Sequence, residues 1–235
     1  MSSVFLEAES FRNRGGWVVD TVPMHRMGSA CLMAHGAGVP VADAETEIDI
    51  DCPGKYHLFA RTRDWTAVWE RGTPVGRFTL RIDGIDLPTE LGTNGAEWAW
   101  QKAGSIRLTQ GKHRLALHDL TGFNGRCDAI YLTTDPEEIP PDGGAELDAF
   151  RRKHTPIETA DDPVIYDLVV AGGGIAGTVT ALAAARLGLT ALLLQDRPVP
   201  GGCNSSEIRV PLGGCTHIGP YPNIGNTVRG IAPLF

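Results

Sequence analysis

Three glycines, Gly172, Gly174 and Gly177, carry the clearest chemical signal in the chain. They follow an apolar stretch at 165–171 and open an alanine-rich stretch that runs to about Leu187. Gly188 then ends it, and a second apolar stretch occupies 190–194. Strand, glycine turn, helix and strand at this spacing make a βαβ unit. Gly172 allows the tight turn out of the strand, Gly174 removes a side chain where a pyrophosphate meets the backbone, and Gly177 lets helix and sheet pack closely. A helix whose first turn holds Ile175, Ala176 and Gly177 offers unpaired amides and a positive end to phosphate. A purely structural glycine turn is the alternative.

The tip of the second strand is where a dinucleotide fold places its ribose-binding acid. Gln195 stands there, followed by Asp196 and Arg197. The Gln195 amide can hydrogen-bond a ribose hydroxyl, less strongly than a carboxylate. A second glycine pair, Gly201-Gly202, and the small hydroxyl Ser206 follow in a loop, an arrangement that resembles FAD enzymes more than simple NAD domains. The stretches Val169–Gly177, Leu194–Val199, Gly201-Gly202 and Asn204–Val210 together resemble a family of bacterial FAD-dependent oxidoreductases. In one branch a β-sandwich precedes the flavin domain. Glu7–Phe11, Gly15–Asp20, Arg61–Trp65 and Leu120–Leu132 resemble that galactose-binding-like, carbohydrate-binding-like domain.

The elements that must position these residues fall into two parts. Short alternating segments at 45–50, 56–61, 77–82, 105–108 and 113–118, separated by Gly/Pro/Asp clusters, predict an antiparallel β-sandwich or jelly roll. Residues 1–134 form this domain. Residues 135–163 read as a linker with a short helix at 145–153, where Leu147 and Phe150 share a face. Residues 164–235 are the front of an α/β Rossmann-like FAD-binding domain. Two strands and one helix leave an open edge and much apolar surface. The expectation is therefore the N-terminal portion or subunit of an enzyme, completed by a complementary chain or by a further C-terminal region.

Composition narrows the function classes. At 42% hydrophobic and 21% charged the chain is ordinary for a globular protein. A net charge of -7 with dispersed basic residues speaks against nucleic-acid or membrane-surface binding. No apolar run is long enough to span a bilayer, and Met1-Ser2-Ser3-Val4 shows no signal peptide. The count of 5 cysteines is odd and contains no CxxC pair, so a reduced, cytoplasmic protein is the simplest reading.

The resemblance to galactose-binding-like modules implies a metal, calcium in the usual case, held by Glu7, Glu9 and Asp128; ordinary surface or hydrogen-bonded acids are the alternative. Trp17, Trp65, Trp69, Trp98 and Trp100 either stack on sugar or fill core. Arg61, Arg63, Asp64, Arg126 and Asp128 suggest a buried ion network against the flavin domain. His217 is a candidate acid or base or a loop histidine. Cys203 and Cys215 lack the spacing of a redox pair, and no catalytic triad or catalytic residue stands out. The leading expectation is an FAD-dependent oxidoreductase whose flavin accepts hydride from an alcohol-like, carbohydrate-type substrate. The alternatives are a carbohydrate-binding β-sandwich with an inactive Rossmann remnant, and an inactive product of gene truncation.

Overall fold

The computed structural model describes residues 2–69, 72–155, 163–197, 199–205 and 210. The chain divides into two compact units, Met1–Glu158 and Thr159–Phe235. In the first, the elements are β1 (Ser3–Glu7), β2 (Trp17–Asp20), a single turn α1 (Met24–Met27), β3 (Cys31–His35), β4 (Ala44–Ile50), β5 (Gly54–Thr62), β6 (Phe78–Ile82), β7 (Ile85–Asp86), β8 (Ala99–Leu108), β9 (Gly111–Asp119), β10 (Phe123–Thr133) and α2 (Gly144–His154). The second holds β11 (Leu168–Ala171), α3 (Ile175–Arg186) and β12 (Ala191–Leu194). No helix among the described residues is long and apolar enough to cross a membrane.

The first unit is an antiparallel β-sandwich. One sheet runs β2-β3-β10-β5-β8; the other runs β4-β9-β6-β7. One edge of β10 is shared: β3 pairs with its first half and β1 with its second, while β5 takes the opposite edge. The alternation in β4 sends Ala44, Ile48 and Ile50 inward and leaves Glu47 and Asp49 exposed. These meet Leu115 and Leu117 of β9, Leu80 and Ile82 of β6, and Tyr56, Leu58, Ile130 and Leu132 from the facing sheet. Trp17 is buried among them, edge-on to Phe78 at 5.6 Å.

The larger sheet is covered on both faces. Leu58, Ala60, Ile130 and Leu132 point into the sandwich, and their neighbours Phe59, Ala129 and Tyr131 form a second cluster with Phe5, against which Trp100 and Phe150 pack. Phe150 belongs to α2, so the helix covers the outer face. That explains why β5 and β10 are buried nearly throughout instead of alternating. The stretch expected as a linker is itself packed down: Tyr131 and Thr133 hydroxyls donate to Glu138, and the Trp100 indole donates to the Pro141 carbonyl.

Two loops meet at one end of the sandwich. The amides of Gly36 and Gly38 donate to the Gly122 carbonyl, and Asp119 accepts from the amides of Val41, Thr121 and Gly122. Gly122 has φ +64°, and a Cβ there would fall on the backbone of Val39. Only glycine permits that approach.

In the second unit β11 and β12 pair in parallel, Leu168 opposite Ala191 through Ala171 opposite Leu194, with α3 as the crossover. Asp167 accepts hydrogen bonds from the amide and hydroxyl of Thr190 and pins the two strand starts together.

Burial separates the tryptophans energetically. Trp17→Ala is expected to cost about 3–5 kcal/mol in chemical denaturation. Trp69→Ala, at 57% exposure, should stay within about 0.5 kcal/mol of wild type. Equal costs would contradict the core placed here.

Candidate functional site

The glycine turn of the second unit is built from backbone. Gly172 has φ +104°, which turns the chain out of β11. A Cβ at Gly177 would land on the Gly172 carbonyl oxygen, so the close packing of α3 against the turn requires glycine. Gly174 precedes α3 with no side-chain cap, and a Cβ there would meet nothing. The first intrahelical bond runs from the Thr178 amide to the Gly174 carbonyl, which leaves the amides of Ile175, Ala176 and Gly177 ahead of it. The turn therefore fits a pyrophosphate: open space, no side chain in front, and the positive end of a helix dipole.

The loop after β12 returns to this turn. The Gly201 amide donates to the Gly173 carbonyl at 2.7 Å, and Gly174 and Gly201 form a parallel bridge. A Cβ at Gly202, whose φ is +59°, would crowd the Gly174 Cα at 3.3 Å. Gln195 ties the two together: its carbonyl accepts from the Gly173 amide at 2.8 Å and its amino group donates to the Val199 carbonyl at 3.2 Å. The side chain expected at the ribose thus holds the turn, with one acceptor and one donor position left over. Asp196 and Arg197 are exposed beside it. Ser206, Cys215 and His217 lie outside the described residues.

In the first unit Glu7, Glu9 and Asp128 come together, and cationic side chains lie among them. A register shift between Cys127 and Ala129 inserts Asp128 as a bulge in β10, with no exposure at all. Its Oδ2 accepts from Arg61 at 2.7 Å and from Arg151 at 2.5 Å; its Oδ1 accepts from the Ser29 hydroxyl at 2.9 Å. Arg151 also donates to Ser29 and to the Met27 carbonyl, and its Nε lies 3.5 Å from Glu7. Arg61 further donates to the Asp142 carbonyl.

Calcium does not fit this arrangement. It takes six to eight oxygens, whereas Asp128 already accepts from two guanidinium groups and a hydroxyl. Of the oxygens of these three carboxyl groups, Glu7 Oε2 and Glu9 Oε2 are buried without a hydrogen-bond partner. Among the described residues no group of three or more His, Cys, Asp and Glu is placed to hold a metal ion. Burial pushes the Glu7 carboxyl up to about 7 despite the pull of Arg151, and burial together with the neighbouring acids pushes Glu9 up to about 8.

Of the expected ion network, Arg61 and Asp128 pair and Asp128 also meets Arg151 of α2, whereas the others take different partners. Arg126 pairs with Asp20 at 3.3 Å, and Asp64 accepts from the amide and hydroxyl of Thr66. Sequence reasoning missed Arg151. Its spacing from the buried Leu147, i and i+4, places it on the inward face of α2 and was the available signal.

The tryptophans divide by role. Trp17 is core, Trp100 packs beneath α2, and Trp98 lies under the Arg61 guanidinium at 5.9 Å. Trp65 and Trp69 stand at the loop end of the sandwich with Phe123, which sequence reasoning did not pair with them. The Trp65 and Phe123 rings are near-parallel at 6.1 Å, and Trp69 meets Trp65 edge-on at 5.4 Å. The Arg126 guanidinium sits 5.6 Å over Trp65, whose indole donates to the Phe123 carbonyl. Trp69, Phe123, Val68 and Val39 are exposed. Beside them His35 and Asn124 are hydrogen-bonded at 2.8 Å.

The family model described as FAD dependent oxidoreductase matches residues 167–233. No curated protein matches the chain. Among solved structures, a family 35 carbohydrate binding module from Clostridium thermocellum is similar at 18% identity and TM-score 0.44, covering 57% of this chain and 100% of that one. A CBM35 from Cellvibrio japonicus is similar at 19% identity and TM-score 0.40, covering 56% and 93%. A GH26-CBM35 β-(1,4)-mannanase from Podospora anserina is similar at 16% identity and TM-score 0.44, covering 82% of this chain and 41% of its own. These are distant likenesses of shape.

The raised Glu7 and Glu9 set a pH dependence. Their folded-state values lie above the ordinary 4.5, so the stability they contribute is complete below 4.5 and is lost as pH rises through about 7 and about 8. The midpoint of thermal unfolding should fall across that window, and Glu9→Gln should flatten the fall. A wild-type midpoint that rises with pH there would contradict the burial of these acids.

Proposed function

We propose that the β-sandwich binds carbohydrate and that the α/β unit grips the adenosine-diphosphate end of FAD in an FAD-dependent oxidoreductase. The carbohydrate half rests on the faces that Phe123 and Trp69 expose around the half-buried Trp65. Flat aromatic faces accept the C–H face of a sugar ring, and His35 and Asn124 beside them offer polar groups to its hydroxyls. This platform is assembled wholly within the first unit.

The flavin half rests on the amides of Ile175, Ala176 and Gly177 behind a turn without side chains, in the segment that the family model covers. Gly201 and Gly202 line the continuation of the cofactor's path, and Gln195 holds the turn while keeping hydrogen-bonding capacity for the ribose. Bound FAD would supply the hydride acceptor, with an alcohol-like, carbohydrate-type substrate as donor. The residues of this chain bind and orient the cofactor; the groups that act on substrate are assigned to a complementary chain or a further region.

A second reading is favoured by one observation. Among the hydrophobic residues of the described α/β unit only Ala184 is buried, whereas the sandwich has a full core. On that reading the chain is a carbohydrate-binding module and the α/β segment contributes no chemistry.

Calorimetric titration with soluble oligosaccharides tests the first half. Trp69→Ala is expected to weaken binding about tenfold or more while leaving the fold intact; unchanged affinity would rule the platform out. Titration of FAD, followed by quenching of its fluorescence, tests the second. Wild type should bind and Gly174→Val, whose side chain enters the open space before the turn, should not. Sugar binding with no FAD binding by wild type would leave the second reading.

A further inference from the structure

We propose that Arg151 is an internal cation standing where the acid cluster of Glu7, Glu9 and Asp128 would otherwise call for a metal ion, so that docking of α2 replaces metal binding in this sandwich. The disagreement between donor set and metal carries the inference. A carboxylate with no exposure must be paired. Here the pairing comes from two side chains that reach it from different directions. Arg61 lies on β5, beside the bulge that inserts Asp128. Arg151 arrives from a helix outside the sandwich, itself 9% exposed.

Arg151 is held as a ligand-bound ion is held. It contacts a side-chain oxygen of Asp128, the Ser29 hydroxyl, the Met27 carbonyl and, at longer range, Glu7. These partners come from β10, the segment after α1, α1 itself and β1. A metal ion bound by the same acids would join the same strands. The guanidinium does so covalently tethered to the chain, with its planar fork directed at carboxylate and carbonyl oxygens. The remaining face of α2 supports the insertion: Leu147 is buried, and Phe150 packs edge-on against Phe5 and Tyr131 at 5.9 and 5.0 Å. Each of these contacts lies within the first unit.

The test is thermal unfolding of the full chain after dialysis against EDTA, then with calcium chloride added. The wild-type midpoint is expected to be the same in both. Arg151→Met should melt several degrees lower in EDTA and recover on adding calcium, because the cluster has lost a cation that a metal can replace. Arg151→Lys, which retains a positive charge, should stay unresponsive and keeps the test decisive where Arg151→Met does not fold in EDTA. A wild-type or Arg151→Lys midpoint that rises with calcium overturns the proposal. So does a folded Arg151→Met chain that gains nothing from the metal, since loss of packing alone would leave no metal response.

Discussion

The first unit is organised around one buried charge. Asp128 is an extra residue in β10, the strand that pairs with β1, β3 and β5, and its carboxylate has no access to water. Removing one partner of such a pair costs about 3–5 kcal/mol, because a charge is then left alone in a poor dielectric. The surrounding elements are therefore constrained together: the β5 edge must present Arg61, the turn after α1 must present Ser29, and α2 must deliver Arg151. A pair of this kind selects an arrangement more than it adds net stability. The nonpolar contacts of Phe5, Tyr131 and Phe150 supply much of the attraction that seats the helix.

The two candidate binding regions follow opposite designs. At the loop end of the sandwich the work is done by side chains: Gly76, Gly122 and Asp119 let loops approach closely enough for Trp65, Phe123 and Trp69 to form a surface. In the α/β unit the work is done by the absence of side chains. Gly177 lies against the Gly172 carbonyl, Gly201 and Gly202 against Gly173 and Gly174, and the first three amides of α3 have no partner within the helix by geometry alone. Two side chains enter this arrangement as braces: Gln195 accepts from the Gly173 amide and the Thr178 hydroxyl donates to the Gly173 carbonyl.

How much of this was legible depended on the range of the interaction. The β4 alternation, the glycine turn and the βαβ order are local, and their spacing alone located β4, β11, α3 and β12. The double coverage of the larger sheet was not legible, since Phe59 and Tyr131 look like core until a helix more than ten residues farther on is known to lie over them. The partners of Asp128 were partly legible: Arg61 was named with it, but the expected opposing surface was the flavin domain and the observed one is α2. The resemblance implied a metal at Glu7, Glu9 and Asp128, and only three-dimensional placement brings the guanidinium groups of Arg61 and Arg151 onto Asp128. Phe123 meets Trp65 through ring contact and an indole hydrogen bond across 58 residues of sequence, a long-range contact with no sequence period.

The central claim is that α2 and the sandwich form one cooperative body through Asp128. An 11-residue helix is marginal by itself in water, so its backbone protection must come from docking. Hydrogen–deuterium exchange of the full chain measures this directly. The account predicts that the amides of 148–154 exchange as slowly as those of β5 and β10 and lose protection with them at the same denaturant concentration. Exchange of those helix amides at nearly unprotected rates, while the strands remain protected, would contradict it.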